Sequence, residues 1–433
     1  MEAVGTITEE GNPWWPARVW QGMKTLSLPL NHRSRRSLLP RAKRARMLLG
    51  LDHSREFMAS VFGQDLHTLR VLSLANGVAG VLNAAALSVH AIGQAYAQLA
   101  DVKPKSGIKQ VDRMLSNQGI EVDDVLRLWV QYVVGDHPSI VIALDWTDFE
   151  LDDHTTLCAY LVTTHGRAMP LAWKTVRKSQ LKKQQTKLEE QLVQKLHAWI
   201  PAQVGVTLVA DRGFGKRELY RLLESLHWDF VIRFRENIAV AHEGTTKPAA
   251  QWVAPNGHPR ILVDAQVTGK RTEVPAVVTV KAKRMKEAWC LATSLRSAKA
   301  AEVVKLYSRR FSIEETFRDT KDLHFGMGLS ATHIHDAGRR DRLLLLVAIA
   351  HTLLTLLGAA SEASGLDAYL KANTVKRRTH SLYRQGLYWY GCLPTMRDEW
   401  FERLITAFDR IVREHTFFSH FFAHQGPAPE ASE

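Results

Sequence analysis

The segment YSRRFSIEETFRDTK, Tyr307 to Lys321, carries a hydroxyl, a guanidinium, a carboxylate and an amine at fixed spacing. Tyr307, Arg310, Glu314 and Lys321 stand at offsets 0, 3, 7 and 14. At about 100° per residue these offsets share a ~60° stripe of one helix and extend over roughly 21 Å. Leu306, Ile313 and Phe317 flank the stripe, which sets it at the edge of a buried face. One acid among three groups that donate to phosphate oxygens suits phosphoryl chemistry. A solvated charged face with i,i+4 pairs is the plainer reading of the same periodicity.

Two more acids follow apolar runs. Asp145 ends the apolar run in PSIVIALDWTDFE, and Asp211 ends GVTLVAD. Both runs read as buried central strands. Open α/β sheets hold ligands beyond the carboxyl ends of their strands, so the two acids can approach each other there. Capping of loop amides is the alternative for each, and Asp148 and Glu150 compete with Asp145. Asp145 is preferred because it directly ends its run. Three converging carboxylates, Asp145, Asp211 and Glu314, would repel unless cations held them. Hard oxygen ligands suit Mg²⁺ or Mn²⁺ rather than zinc. Two such ions about 3.5–4 Å apart can bind the attacking and leaving oxygens of an in-line displacement.

The elements that must position these groups follow from the rest of the chain. Residues 1–50 read as a leader, with RSRRSLLPRAKRAR as either a nucleic-acid arm or a solvated tail. Residues 51–137 read as helical. Within them Ser106 can cap a helix whose stripe is Ile108, Val111, Met114 and Leu115, with Lys109 and Arg113 on another face. That pattern suits a helix-turn-helix reader of DNA and equally an ordinary basic amphipathic helix. Residues 138–360 read as the sheet-bearing core, with a Val/Thr/Gly-rich β insertion at about 238–293. Residues 361–433 read as helical, and Phe401, Leu404, Ile405, Phe408 and Val412 form a stripe for a dimer contact or for docking on the chain's own core. The order of elements is that of an α/β fold with a mixed sheet.

The 433 residues carry a net charge of +13 and a pI of about 9.6, which favours a polyanionic partner. Basic segments at 174–187 and 371–384 are candidates to follow a phosphate backbone. Cys158, Cys290 and Cys392 are too dispersed for a disulfide framework or a zinc knuckle and fit a reducing cytoplasm. His420 and His424 lie four apart, but no third ligand is suitably placed. No signal peptide is read at the start. LLLLVAIAHTLLTLLGAA, Leu343 to Ala360, is barely long enough for a bilayer and reads as a core helix, so no membrane partner is expected.

The Y-x2-R-x3-E-x6-K pattern at Tyr307, Arg310, Glu314 and Lys321 resembles the signature of DDE transposases of the IS-four insertion-sequence family. LDWTD, VADRGF, IEETFRDTK, KQVDRML and ANTV also look like this family, most closely its Tn-ten-type members, over about residues 60 to 410. Residues 1–50 find no counterpart. The resemblance implies an RNase H-like core with helical flanking domains. It implies Asp145, Asp211 and Glu314 as the metal-binding triad for two Mg²⁺, with Mn²⁺ as a substitute. It also matches Trp289 to a tryptophan that stacks on a flipped base, against the alternative of a core aromatic. Arg233 resembles an active-site arginine, against the alternative of a salt-bridge partner.

The function so implied is cut-and-paste transposition in a bacterial cytoplasm, close to the nucleoid. The protein would bind terminal inverted repeats, act as a homodimer on DNA, excise the element through a hairpin and insert it into target DNA. Tyr307 would be a phosphate contact rather than a nucleophile. The rivals are an RNase H-like nuclease without strand transfer and a catalytically silent regulator. A tyrosine recombinase is disfavoured, because it would lack the three acids.

Overall fold

The structure is a computed structural model that describes residues 41–414 apart from 136 and 324–325. The expected basic arm begins outside this range, and His420 and His424 lie beyond it. Among the described residues five helices come first: α1 (Arg41–Phe62), α2 (Thr68–Ala84), α3 (Val89–Ala100), α4 (Pro104–Ser116) and α5 (Val122–Val134). Among the described residues α1 already includes Arg41–Gly50, on the N-terminal side of residue 51. Pro104 sits in the first turn of α4, where a missing N–H leaves no bond unmade. The helix thus begins two residues before Ser106, the expected cap. Helices α3 and α4 cross backbone to backbone: a Cβ on Gly93 would stand 2.3 Å from Ile108 Cα, and one on Gly107 2.3 Å from the Gly93 carbonyl oxygen.

The run Ile140–Leu144 is buried throughout. The strands are β1 (Ser139–Phe149), β2 (His154–Leu161), β3 (Met169–Arg177), β4 (Gly205–Ala210) and β5 (Asp229–Phe234), and β1, which carries that run, is the interior strand between β2 and β4. Helices α6 (Gln185–Trp199) and α7 (Arg217–Ser225) supply the crossovers around β4. Strands β6 (Ala239–His242), β7 (Thr245–Pro248), β8 (Arg260–Val267), β9 (Thr272–Val280) and β10 (Trp289–Thr293) complete one sheet in the order β3-β2-β1-β4-β5-β10-β9-β8-β6-β7. β1, β4 and β5 run parallel, and β1, β2 and β3 form an antiparallel meander. That arrangement is an RNase H-like α/β core with flanking helices. The β-rich insertion extends the same sheet, because β10 pairs antiparallel with β5.

Beyond the sheet lie α8 (Ala300–Ser308), α9 (Ser312–Lys321), α10 (Ala337–Ala363), α11 (Leu382–Cys392) and α12 (Asp398–Glu414). The long apolar helix α10 has 94% of its most apolar window buried inside the protein, as the core-helix reading expects. Of its charged start, Arg340, Asp341 and Arg342 are buried as well and Arg339 is half-buried, and all four hold neighbouring segments. Arg339 donates to Asp112 on α4 at 2.7 Å, and Arg340 to Asp152 after β1. Asp341 accepts the Thr175 N–H of β3 at 3.0 Å, and Arg342 donates to the carbonyls of Leu115 and Ile120. The apolar stripe of α12 is turned inward: Leu404 and Phe408 are buried, and Asp409 meets His53 of α1 at 3.0 Å.

Candidate active site

β1 does not end at Asp145. It runs four residues further as the partner of β2, while its parallel neighbour β4 stops at Ala210. Leu144 pairs with Ala210, so Asp145 and Asp211 leave the parallel ladder at the same level. The acid is therefore set by where β4 ends rather than by where β1 ends. Asp148 and Glu150 are drawn elsewhere. Asp148 lies on the opposite face of β1 from Asp145, as the two-residue period of a strand requires, and both rivals accept from Lys178.

The Tyr307–Lys321 stripe is not one continuous α-helix. A 3₁₀ turn at Arg309–Phe311 joins α8 to α9. Tyr307 and Arg310 are buried, Lys321 is half-buried, and the Glu314 side chain is 54% exposed. Arg310 forks between two acids, donating through Nη1 to Asp145 Oδ2 at 3.0 Å and through Nη2 to Glu314 Oε1 at 2.9 Å. Lys321 Nζ reaches β1, donating to Thr147 Oγ1 at 3.0 Å and to the Asp148 carbonyl at 2.6 Å. Asp211 Oδ1 accepts the Gly213 N–H at 2.8 Å. Burial raises the Tyr307 phenol above its ordinary value, which keeps it a proton donor.

Burial pushes the Asp145 carboxyl up to about 6 against the pull of Arg310, and Asp211 and Glu314 add to the rise. Asp145 thus senses the charge of both other acids. The donor set is all carboxylate oxygen, which fits Mg²⁺ or Mn²⁺. Among the described residues no three metal-ligating side chains already surround one point. Between Asp145 and Glu314 the positive charge in this structure is the Arg310 guanidinium.

Trp289 opens β10 and is half-buried beside the stripe, edge-on to Tyr307 at 5.0 Å between centroids and stacked on Phe311 at 5.8 Å. Arg233 lies on β5 and donates to Glu287 at 2.8 Å, an acid that also takes Arg212 at 3.1 Å. Lys109 and Arg113 stand exposed on α4 and line an open groove with Ser73, Ser106, Gln110 and Asn117. They form a surface separate from the acids. Part of the expected basic patch at 371–384 is occupied internally: Arg378 pairs with Glu362 and Arg384 with Asp319.

Sequence reasoning missed Asp319. It is fully buried on α9 and bridges Arg167, in the β2–β3 turn, to Arg384 on α11. The signal was available: Ile313, Thr316 and Asp319 share the inner face of α9, and an acid on an inner face demands partners. Glu287 was missed too, since nothing in the local pattern links it to Arg233.

An RNase H-like core with carboxylates where the pairing of its central parallel strands stops defines an enzyme class that works on nucleic-acid phosphates. The transposase DDE domain family matches residues 136–353, half of the chain, and the chain belongs to that family. No curated protein matches it.

Proposed function

We propose that the protein is a cut-and-paste transposase of the IS-four type, with Asp145, Asp211 and Glu314 as its catalytic acids. The carrying observation is the shared level of Asp145 and Asp211 on adjacent parallel strands, with Arg310 linking Asp145 to Glu314. Bound divalent ions would supply Lewis-acid activation of a water or a 3′-OH and would neutralise the leaving oxygen.

The chain's own residues then have distinct tasks. Asp145, held by the rigid centre of the sheet, and Asp211, fixed by the Gly213 N–H, give the two immobile carboxylates. Glu314 comes from a helix and is the more exposed of the acids that Arg310 pairs. Arg310 changes partner, releasing the acids and donating to a phosphate oxygen. Tyr307 donates beside it. Lys321 stays on Thr147 and the Asp148 carbonyl and steadies the far end of β1. Trp289 offers a face on which an extruded base can stack, which would relieve a tight hairpin. Lys109 and Arg113 on α4 would read the terminal inverted repeats. A homodimer on DNA would pair the two ends.

The test is incubation of the purified protein with duplexes carrying its own element's ends in Mg²⁺. Nicks, hairpins and joined products are expected in that order. Nicks alone would make it a nuclease without strand transfer, and binding without cutting would make it a regulator.

A further inference from the structure

Glu189, on α6, is fully buried. A carboxylate taken out of water destabilises the fold unless its charge is matched and its oxygens are bonded. Both conditions are met, and by the two segments that carry the fixed acids of the candidate site. Oε1 accepts the Trp146 indole N–H at 3.0 Å, and Oε2 accepts from Lys216 Nζ at 2.8 Å. Trp146 directly follows Asp145, and Lys216 closes the turn that begins at Asp211. The last ladder pair between β1 and β4 is Leu144 with Ala210. Beyond it the two chains part, and the Glu189 carboxylate joins them again.

Each tie reaches its acid through few bonds. The Trp146 backbone N–H donates to Asp145 Oδ1 at 2.9 Å, so an indole held by Glu189 fixes the peptide that orients that carboxyl. On the other side the Phe214 N–H donates to the Asp211 carbonyl at 3.1 Å, and the Lys216 N–H to the Phe214 carbonyl at 2.7 Å. This compact turn passes the position of Lys216 on to Asp211. Successive residues of a strand face opposite sides, so Trp146 leaves the sheet on the side away from Asp145 and its partner Arg310. Glu189 therefore works from behind the site. We propose that Glu189 is a positioning residue, a brace that holds Asp145 and Asp211 level where the sheet no longer does. The inference rests on the reading of those acids as ion-holding groups. An apolar side chain would fill the same space, but a forked acceptor fixes direction at both ends. Groups that hold the ligands of an ion in place govern its affinity as the ligands themselves do.

The test reads ion binding rather than cutting. Mn²⁺ is titrated into the full chain without DNA, and the free ion is followed by electron paramagnetic resonance. Wild type is compared with Asp145→Asn, Glu189→Gln and Trp146→Phe. Glu189→Gln keeps the shape and one oxygen, and Trp146→Phe removes the donor while keeping an aromatic ring. Circular dichroism and Tm confirm that both are folded at the temperature of the titration. Wild type is expected to hold Mn²⁺ and Asp145→Asn to lose it. In Glu189→Gln and Trp146→Phe the affinity should fall by at least threefold, toward the roughly tenfold loss typical of a missing supporting bond. If wild type holds no Mn²⁺ that Asp145→Asn removes, the reading of the acids fails and the positioning role falls with it. If that ion binds and either variant loses less than threefold, the reading stands and the positioning role alone is overturned. A purely structural Glu189 would give that second result, with Tm lowered and the Mn²⁺ affinity unmoved.

Discussion

Replacing Asp145 by Asn removes a charge that the fold holds at a cost. Its carboxyl is raised from 3.8 to about 6, chiefly by burial and despite Arg310. The folded state therefore binds more protons than the unfolded chain between about pH 4 and pH 6. Stability falls as pH rises through that window, and the full penalty is present above it. A rise of about two units corresponds to roughly 3 kcal/mol. With about 2.1 cal/mol/K of unfolding entropy per residue, 433 residues give roughly 0.9 kcal/mol/K, or a change of about 3 °C. Asp145→Asn in EDTA at pH 7.5 is thus expected to melt about 3 °C above wild type by differential scanning fluorimetry. The gain should shrink toward zero as pH falls below about 4. Mg²⁺ should raise the wild-type Tm at pH 7.5 and leave the variant unchanged. A variant that melts below wild type at pH 7.5 would refute the reasoning, because the Asp145–Arg310 pair would then outweigh desolvation.

Trp289→Ala should leave the first nick largely intact and impair hairpin formation, read on denaturing gels; equal loss at both steps would assign the ring to packing against Tyr307 and Phe311. Asp319→Ala leaves Arg167 and Arg384 facing a buried void of charge and should destabilise the protein by about 3–5 kcal/mol in urea unfolding. The double change Lys109→Ala with Arg113→Ala should weaken binding to element ends and flatten the salt dependence by up to about two counterions in a gel-shift titration, with Tm unchanged.

The mixed sheet was legible because Ile140–Leu144 is a continuous apolar run and Val206–Ala210 one broken only by Thr207, and strands buried on both faces read that way. The placement of Asp145 level with Asp211 was legible for an imperfect reason. The run does change character at residue 145, but the strand continues, and the two acids stand level because β4 stops there. The stripe around Glu314 was visible by helical period, yet the 3₁₀ turn at Arg309–Phe311 was not, since no Gly or Pro marks it. Contacts between distant segments were the least legible. Nothing in GRRDR says that Arg339 and Arg342 hold α4, Arg340 the turn after β1 and Asp341 β3, nor that Arg310 spans 165 residues to meet Asp145. Such pairings depend on tertiary placement, which local periodicity does not encode. The stripe of α12 was equally open to a partner and to its own chain, because an apolar face specifies burial and not the surface that provides it.

The central claim is that three carboxylates act as one cutting centre, and Glu314→Gln tests it most directly because this side chain is exposed and its loss leaves the core intact. The measurement is Mg²⁺-dependent nicking of a duplex carrying the element's end, with binding of the same duplex followed in parallel by gel shift. The account predicts that the variant binds the end as wild type does and produces no nick. Nicking by Glu314→Gln at close to the wild-type rate would contradict it.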